Sequence, residues 1–151
     1  MKRFILVLLA VLFVSTAAAD RETYSVYTLC QPDSFVNVRM FPRKGSEIVG
    51  RLELGDEIET DGVRKNGFLH VYGFEVGEAW VNAGFVTESR VRVETVTGEI
   101  VSNGRVACRR SIKGTRRKWL VNGQKLVIYA VAGEWAITSQ GFVQTRFLGC
   151  F

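Results

Sequence analysis

The stretch VNVRMFPRKGSEIVGRLELGDEIE, residues 36–59, recurs in a looser form as RVACRRSIKGTRRKWLVNGQKLVIYAV, residues 105–131. In both stretches a short apolar run leads into a basic loop that holds a glycine, Gly45 in the first and Gly114 in the second. A second run then leads into a turn that holds Gly55 or Gly123. The shared order and spacing predict that the chain contains two copies of one module.

The composition around these stretches is that of strands and turns. Valine, phenylalanine, tyrosine and threonine are frequent, glycines are many, and there are only two prolines. Apolar residues alternate with polar ones in brief runs such as RLEL and VRVE, which favours half-buried strands. We therefore predict an all-β protein of two small barrels of about five short strands each. Helix is expected only as a turn near VNAGFV and VQTRFL.

The motifs of the first copy occur in a characteristic order. They are Asn37-Val38-Arg39, Pro42, the run IVGRL, Gly55, the run GFLHV and Trp80-Val81. The second copy offers Gly114, Leu120, Gly123, Trp135-Ala136-Ile137, Gly141-Phe142-Val143 and Phe147-Leu148. It shows Val106-Ala107-Cys108 in place of the Asn-Val-Arg element, and its fourth hairpin is shorter. This order resembles the bacterial SH3-like domain, and the resemblance covers nearly the whole chain after the first twenty residues.

The resemblance implies two SH3-like β-barrels in tandem. It also implies binding to peptidoglycan or another anionic envelope ligand, with no chemistry performed. The alternative is a structural or regulatory interaction module that acts on a secreted or surface protein. The expected partner is a cell-wall polymer or an envelope protein rather than nucleic acid, and we expect a monomer.

The first residues, MKRFILVLLAVLFVSTAAA, have two basic residues, an uninterrupted apolar run and a small-residue end. This pattern predicts a secretory signal peptide, residues 1–19, cleaved after Ala19. A retained anchor is the alternative, but the run is shorter than the ~20 residues that span a bilayer. We expect a secreted or envelope-associated protein without a stable membrane anchor, with barrels at residues 20–95 and 96–151. Alternating valines predict that residues 88–104 are strand-like and docked.

Three cysteines, Cys30, Cys108 and Cys150, remain after cleavage, and an exported chain permits a disulfide bridge. In an SH3-like barrel the first and last strands lie close together, which favours a bridge between Cys108 and Cys150. A bridge between Cys30 and Cys108 would instead join the two copies. Three unpaired, partly buried thiols remain the third reading.

Catalytic and metal sites are not indicated by the sequence. The one histidine, His70, lies within the apolar run FLHVY, and we expect it on a strand face at the surface of the barrel. No hydrolase, metalloprotease or phosphate-loop motif is present. We therefore predict a non-enzyme without metal or cofactor.

Charge distinguishes the two copies. Residues 20–97 carry a net charge of −4 and residues 98–151 a net charge of +7. Most of the basic excess lies beside one loop, and the candidate ligand-binding residues there are Arg109, Arg110, Arg116, Arg117, Lys118 and Trp119. Arginine suits carboxylates and phosphates, and an adjacent tryptophan can stack on a ligand. Two alternatives are that the basic loop is simply solvated, or that it docks on the acidic copy. Trp119 also fits a core position.

The remaining candidates are aromatic. Trp80 and Trp135 have apolar neighbours and are expected in the core of their own copies. Phe41, Tyr72 and Phe74 lie at loop edges, where a ring can face a groove, and we predict that they contact the ligand.

Overall fold

The computed structural model describes residues 22–149. The predicted signal peptide and Cys150 lie outside this range. Within it, no helix is both long and apolar enough to cross a membrane. The chain is all-β and forms two antiparallel sheets of seven strands each, so the prediction of two tandem β units is confirmed.

The first sheet forms the N-terminal unit. Its strands are β1 (Tyr24–Thr28), β2 (Val36–Arg39), β3 (Ile48–Leu52), β4 (Glu57–Lys65), β5 (Phe68–Val71), β6 (Ala79–Asn82) and β7 (Val86–Thr87). The second sheet forms the C-terminal unit. Its strands are β8 (Arg92–Ile100), β9 (Val106–Arg109), β10 (Arg116–Leu120), β11 (Lys125–Ala132), β12 (Trp135–Thr138), β13 (Gly141–Gln144) and β14 (Leu148–Gly149).

Both sheets have the same strand order. The first runs β3-β2-β6-β5-β4-β1-β7, and the second runs β10-β9-β13-β12-β11-β8-β14. In each unit the last strand returns to pair with the first, β7 with β1 and β14 with β8. The internal repeat read from the sequence is therefore a repeat of topology. The units contain seven strands rather than the predicted five, because β1 and β7 complete the first sheet and β8 and β14 complete the second.

Glycine turns recur at equivalent places. Gly55 has a φ of 86° and Gly123 a φ of 78°, a left-handed conformation that favours glycine. The amide of Gly55 donates to the carbonyl of Thr28 at 2.8 Å, and the amide of Gly123 donates to the carbonyl of Ile100 at 2.7 Å. Each turn is thus tied to the end of the first strand of its own unit.

The only helix among the described residues is one 3-10 turn in each unit, Ala83–Phe85 and Thr145–Phe147, each just before the last strand. These are the two places where the sequence predicted a helical turn. The first is capped by the side chain of Asn82, which accepts a hydrogen bond from the amide of Gly84 at 2.9 Å.

Strand β8 begins at Arg92 and pairs with β11 and β14. The segment between the repeats is therefore a strand, as predicted. The boundary expected between residues 95 and 96 falls inside it, and strand pairing divides the units between β7 and Arg92.

A shared apolar seam joins the two units. Leu29, which is fully buried at the end of β1, packs with Trp135, Ile137 and Phe142 of the C-terminal unit. The rings of Phe85 and Phe142 meet across the seam with centroids 5.9 Å apart. Trp80 and Trp135 are both buried, but Trp135 belongs to this seam and not, as expected, to the core of its own unit.

Backbone and side-chain hydrogen bonds also cross the seam. The amide of Ile112 donates to the carbonyl of Gly84 at 2.8 Å. The side-chain amide of Gln31 donates to the carbonyl of Thr138 at 3.0 Å. Such directional bonds fix the rotation of one unit against the other, which apolar contact alone does not.

Gly84 offers a test of the seam. A Cβ atom there would lie 2.9 Å from both Cβ and Oγ of Ser111 in the other unit. We expect Gly84→Ala to lower the free energy of unfolding by about 1–3 kcal/mol, because the units must separate locally. Denaturant unfolding of the full chain measures this change.

Gly104→Ala is the matched control, because nothing lies within 4 Å of a Cβ atom at that position. Equal stability of the two variants would show that the seam tolerates the extra methyl group and is not closely packed at Gly84.

Candidate ligand-binding site

A cleft with a volume of about 630 Å³ lies between the two units. Both sheets contribute to its wall. Five of its lining residues are cationic: Arg39, Lys44, Arg109, Arg110 and Arg117. We call these five residues and the space they line the basic cleft. No aspartate or glutamate lines it among residues 22–149.

None of the five cations forms an ion pair within the described part of the chain. The contacts of this kind there are the ion pair of Arg92 with Glu94 and the contact of Asp61 with the His70 ring, and both lie outside the cleft. A cavity lined by charges of one sign concentrates the field inside it and attracts ions of the opposite sign. The basic cleft is therefore suited to an anion.

Two of the cleft arginines occupy equivalent positions in the repeat. Arg39 ends β2, and its Nη1 donates to the carbonyl of Ser46 at 2.8 Å. Arg109 ends β9, and its Nη1 donates to the carbonyl of Gly114 at 2.8 Å. Each guanidinium is thus held against the loop of its own unit. Since a guanidinium has five N–H donors, the remaining donors stay available to a ligand.

This equivalence corrects the sequence alignment. Val106-Ala107-Cys108-Arg109 in β9 corresponds to Val36-Asn37-Val38-Arg39 in β2. The C-terminal unit therefore keeps the arginine of the Asn-Val-Arg element and replaces only Asn37, by Ala107. Arg39 and Lys44 were not among the predicted site residues, and an alignment anchored on the arginine could have suggested the first of them.

The predicted basic patch is divided by the structure. Arg109, Arg110 and Arg117 line the basic cleft, whereas Arg116 and Lys118 do not. The pairing of β10 with β9 shifts between Arg116 and Lys118, so the side chains of this strand do not alternate regularly between two faces. Lys118 donates to the side-chain oxygen of Gln140.

Trp119 belongs to a separate surface. Its side chain is 42% exposed, so the core position considered for it is wrong. The guanidinium carbons of Arg116 and Arg105 lie 4.5 Å and 5.1 Å from the centre of its ring. These contacts hold Arg116 on the tryptophan and away from the basic cleft.

The three predicted aromatic contacts lie in different places. Phe41 is 52% exposed, with the guanidinium carbon of Arg43 5.7 Å from its ring centre, and it does not line the basic cleft. Phe74 packs against the core of the N-terminal unit and shares a small cavity with Tyr72. The aromatic residues in the wall of the basic cleft are others: Phe35, Phe68, Phe85 and Phe142.

Tyr72 belongs to a polar cluster inside the N-terminal unit. Its hydroxyl donates to Asp61 Oδ2 at 2.8 Å, and His70 Nδ1 lies 3.0 Å from the same oxygen. His70 is only 3% exposed and packs against the rings of Tyr72 and Trp80. The sequence analysis predicted this histidine at the surface of the barrel. It is instead buried and contacts the carboxylate of Asp61.

The pKa of Asp61 is lowered to about 2. Burial alone would raise it, but hydrogen bonds from His70, the amide of Val63 and Tyr72, together with the charge interaction with His70, outweigh that effect. Because Asp61 is ionised over the ordinary pH range, its carboxylate can only accept, and His70 therefore donates from Nδ1.

The two described cysteines are both free thiols. Burial, with the nearby charges of Asp56 and Glu53, raises the pKa of Cys30 to about 11. Burial also raises the pKa of Cys108, despite the nearby charges of Lys118 and Arg117, and its Sγ lies 3.0 Å from the carbonyl of Gln140. The alternative bridge between Cys30 and Cys108 is therefore absent, and the Cys108–Cys150 bridge involves a residue outside the described range. No group of three or more candidate metal ligands occurs within residues 22–149.

Comparison with known proteins gives limited information. No family model and no curated protein matches this chain. Among solved structures, NlpC1 from Trichomonas vaginalis is 14% identical to this chain, with a TM-score of 0.37. The match covers 89% of this chain and 48% of the NlpC1 chain. NlpC2 from the same organism is also 14% identical, with a TM-score of 0.38. The match covers 87% of this chain and 49% of the NlpC2 chain.

This chain thus spans about half the length of either structure. At such identity and TM-score the likeness decides neither fold nor function. The all-β architecture of the two units fits the resemblance to bacterial SH3-like domains, and no family match establishes it.

The Asp61 cluster predicts a pH dependence of stability. The folded-state pKa lies below the ordinary value of 3.8, so this contribution is present above about pH 4 and is lost as the pH falls toward 2. We expect Asp61→Asn to lower the free energy of unfolding at pH 7 by about 2 kcal/mol. The difference from the unsubstituted protein should shrink between pH 4 and pH 2 in denaturant titrations.

Glu75→Gln is the control, since it makes the same carboxylate-to-amide change at an exposed position. A difference for Asp61→Asn that stays constant down to pH 2 would contradict the assignment.

Proposed function

We propose that this protein is an exported, non-enzymatic binding protein that attaches to peptidoglycan or another anionic ligand of the cell envelope. The observation that carries the proposal is the basic cleft, where five cations without ion pairs in the described chain surround one cavity. The proposed export is supported by the signal-like residues 1–19. The ligand would contact both units, since each contributes cations.

The absence of catalysis is proposed from the state of the candidate groups. A thiol attacks as a thiolate, and the raised pKa values of Cys30 and Cys108 disfavour that form at neutral pH. His70 is buried and bound to Asp61, so its ring is not offered to a substrate. The chemistry suited to the described surface is recognition of an anion.

Charge also supports an anionic polymer over a neutral glycan. Four of the five cleft cations are arginines, whose planar forks can hold a carboxylate or a phosphate through two hydrogen bonds. A cavity of this volume falls within the range of roughly 300–1,000 Å³ that small-ligand sites occupy. The basic cleft would therefore hold a short section of a polymer.

Sedimentation with purified cell-wall material tests the proposal. Arg110 and Arg117 are exposed, and their side chains form no hydrogen bond, ion pair or ring contact within residues 22–149, so Arg110→Ser/Arg117→Ser should fold normally. We expect this variant to lose at least tenfold in retention, corresponding to 1.4 kcal/mol or more, because two charged contacts are removed. Retention of the unsubstituted protein should also fall as salt is raised above 0.15 M.

Arg90→Ser/Lys125→Ser is the matched control, because it removes the same charge from exposed positions outside the basic cleft. A third variant, Arg105→Ser/Arg116→Ser, removes the same charge from the two arginines that lie on Trp119. Equal losses in all three would indicate a response to net charge only. A loss confined to the third would assign binding to the Trp119 surface and reject the basic cleft.

A further inference from the structure

Strand β10 holds an aromatic ring in solvent at the edge of the second sheet. The strand pairs only with β9, and of its five residues only Leu120 is buried. Trp119 is exposed, whereas the other two tryptophans, Trp80 and Trp135, are buried. Residues 119, 120 and 121 are exposed, buried and exposed in turn, so Trp119 and Val121 lie on the same outward side.

Two arginines lie over the ring of Trp119. The guanidinium carbons of Arg116 and Arg105 are 4.5 Å and 5.1 Å from its centre. Neither arginine forms an ion pair within residues 22–149, and neither lines the basic cleft. The Trp119 surface consists of these two arginines, Trp119 and Val121. It therefore combines exposed apolar groups with two fixed cations.

The sequence around this surface holds no acidic residue. Residues 100–133 contain neither aspartate nor glutamate, and the flanking acidic residues are Glu99 and Glu134. The strands and loops that form the Trp119 surface thus supply no carboxylate to offset its charge. By charge complementarity, the surface is suited to an anionic partner.

The N-terminal unit has a similar pair of side chains with the two members exchanged. Arg51 in β3 is equivalent to Trp119 in β10, because each lies opposite the second residue of the neighbouring strand. The guanidinium carbon of Arg51 lies 4.3 Å from the ring centre of Phe35, which is equivalent to Arg105. A cross-strand contact between a cation and a ring is therefore a feature of the module and by itself indicates no ligand.

The remaining residues distinguish the C-terminal unit. Arg116 begins β10 where Ile48 begins β3, and Val121 follows β10 where Glu53 follows β3. The second unit thus adds a cation beside the ring and has an alkyl group in place of a carboxylate. Neither change is needed to form the edge strand, since β3 forms without them.

These properties match the surface of an anionic bilayer. Tryptophan is enriched at the level of lipid headgroups, where its ring is partly in apolar surroundings and its N–H stays hydrated. Each basic side chain near an anionic leaflet strengthens binding by roughly a factor of five. A dissolved phosphate would contact the arginines but would gain little from Trp119 and Val121.

We infer that the Trp119 surface docks the C-terminal unit on a bilayer that contains anionic phospholipids. Trp119 and Val121 enter the headgroup region, and Arg105 and Arg116 lie beside the lipid phosphates. So small a contact binds reversibly. The inference goes beyond the proposed function, because the four residues lie outside the basic cleft.

Vesicle binding tests the inference. The protein is residues 20–151, which include both described units, because the apolar residues 1–19 would bind lipid by themselves. Vesicles of equal parts phosphatidylcholine and phosphatidylglycerol are compared with phosphatidylcholine alone. We expect at least tenfold stronger binding to the anionic vesicles, weakening as salt rises above about 0.15 M, with a blue shift of tryptophan emission from Trp119. Equal binding to both vesicles, or binding without an emission shift, would overturn the inference.

Arg105→Ser/Arg116→Ser should weaken binding to the anionic vesicles at least tenfold, and Trp119→Ser should abolish the emission shift. All three residues are exposed, so thermal unfolding should be little changed. The matched control is Arg43→Ser/Arg51→Ser, which removes two exposed arginines that lie on phenyl rings of the N-terminal unit. Equal losses in the two double variants would show a response to net charge and overturn the inference.

Two further outcomes name other ligands. Release from vesicles by glycerol 3-phosphate, but not by sodium chloride of the same ionic strength, would assign the Trp119 surface to dissolved phosphate. Loss of cell-wall retention by Arg105→Ser/Arg116→Ser with vesicle binding unchanged would assign it to a wall polymer. If vesicles do not bind while Arg110→Ser/Arg117→Ser loses wall retention, the lipid inference fails and the proposed function stands.

Discussion

The packing of Leu29 against Trp135, Ile137 and Phe142 is the contact on which the rest of the arrangement depends. Burial of each such apolar side chain contributes about 1.5–3 kcal/mol, so the seam is a substantial part of the stability of a chain whose individual units are small. It also sets the position of one sheet against the other. Because of that position, the arginines that end β2 and β9 line one cavity, although they belong to separate sheets.

Much of the fold was readable from local sequence. The repeat of short apolar runs corresponds to two sheets of identical strand order, and Gly55 and Gly123 lie in equivalent left-handed turns. The seam was not readable, because alternation shows that a strand has two faces but not what covers each one. Every residue of β12 is buried, and only the structure shows that Trp135 and Ile137 face the other unit.

The candidate site was predicted in part for a similar reason. A run of arginines in one loop and strand looks like one patch, but the pairing of β10 with β9 shifts between Arg116 and Lys118, so regular alternation is broken there. Arg117 therefore lies in the basic cleft, and Arg116 lies on Trp119. Arg39 and Lys44 belong to the N-terminal unit. Because the net charge of that unit is negative, nothing in the sequence indicated a basic surface there. Tyr72 looked like a free loop-edge ring because sequence does not show that its hydroxyl binds Asp61.

The position of the basic cleft between the two copies has an evolutionary consequence. A single module has only one wall of the cavity, so duplication and docking supply the enclosed site in one event. The copies then cease to be interchangeable, as the pair Asn37 and Ala107 illustrates, since each wall can be selected for a different part of the ligand. A binding site in the basic cleft would need both copies, because loss of either one removes a wall of the cavity.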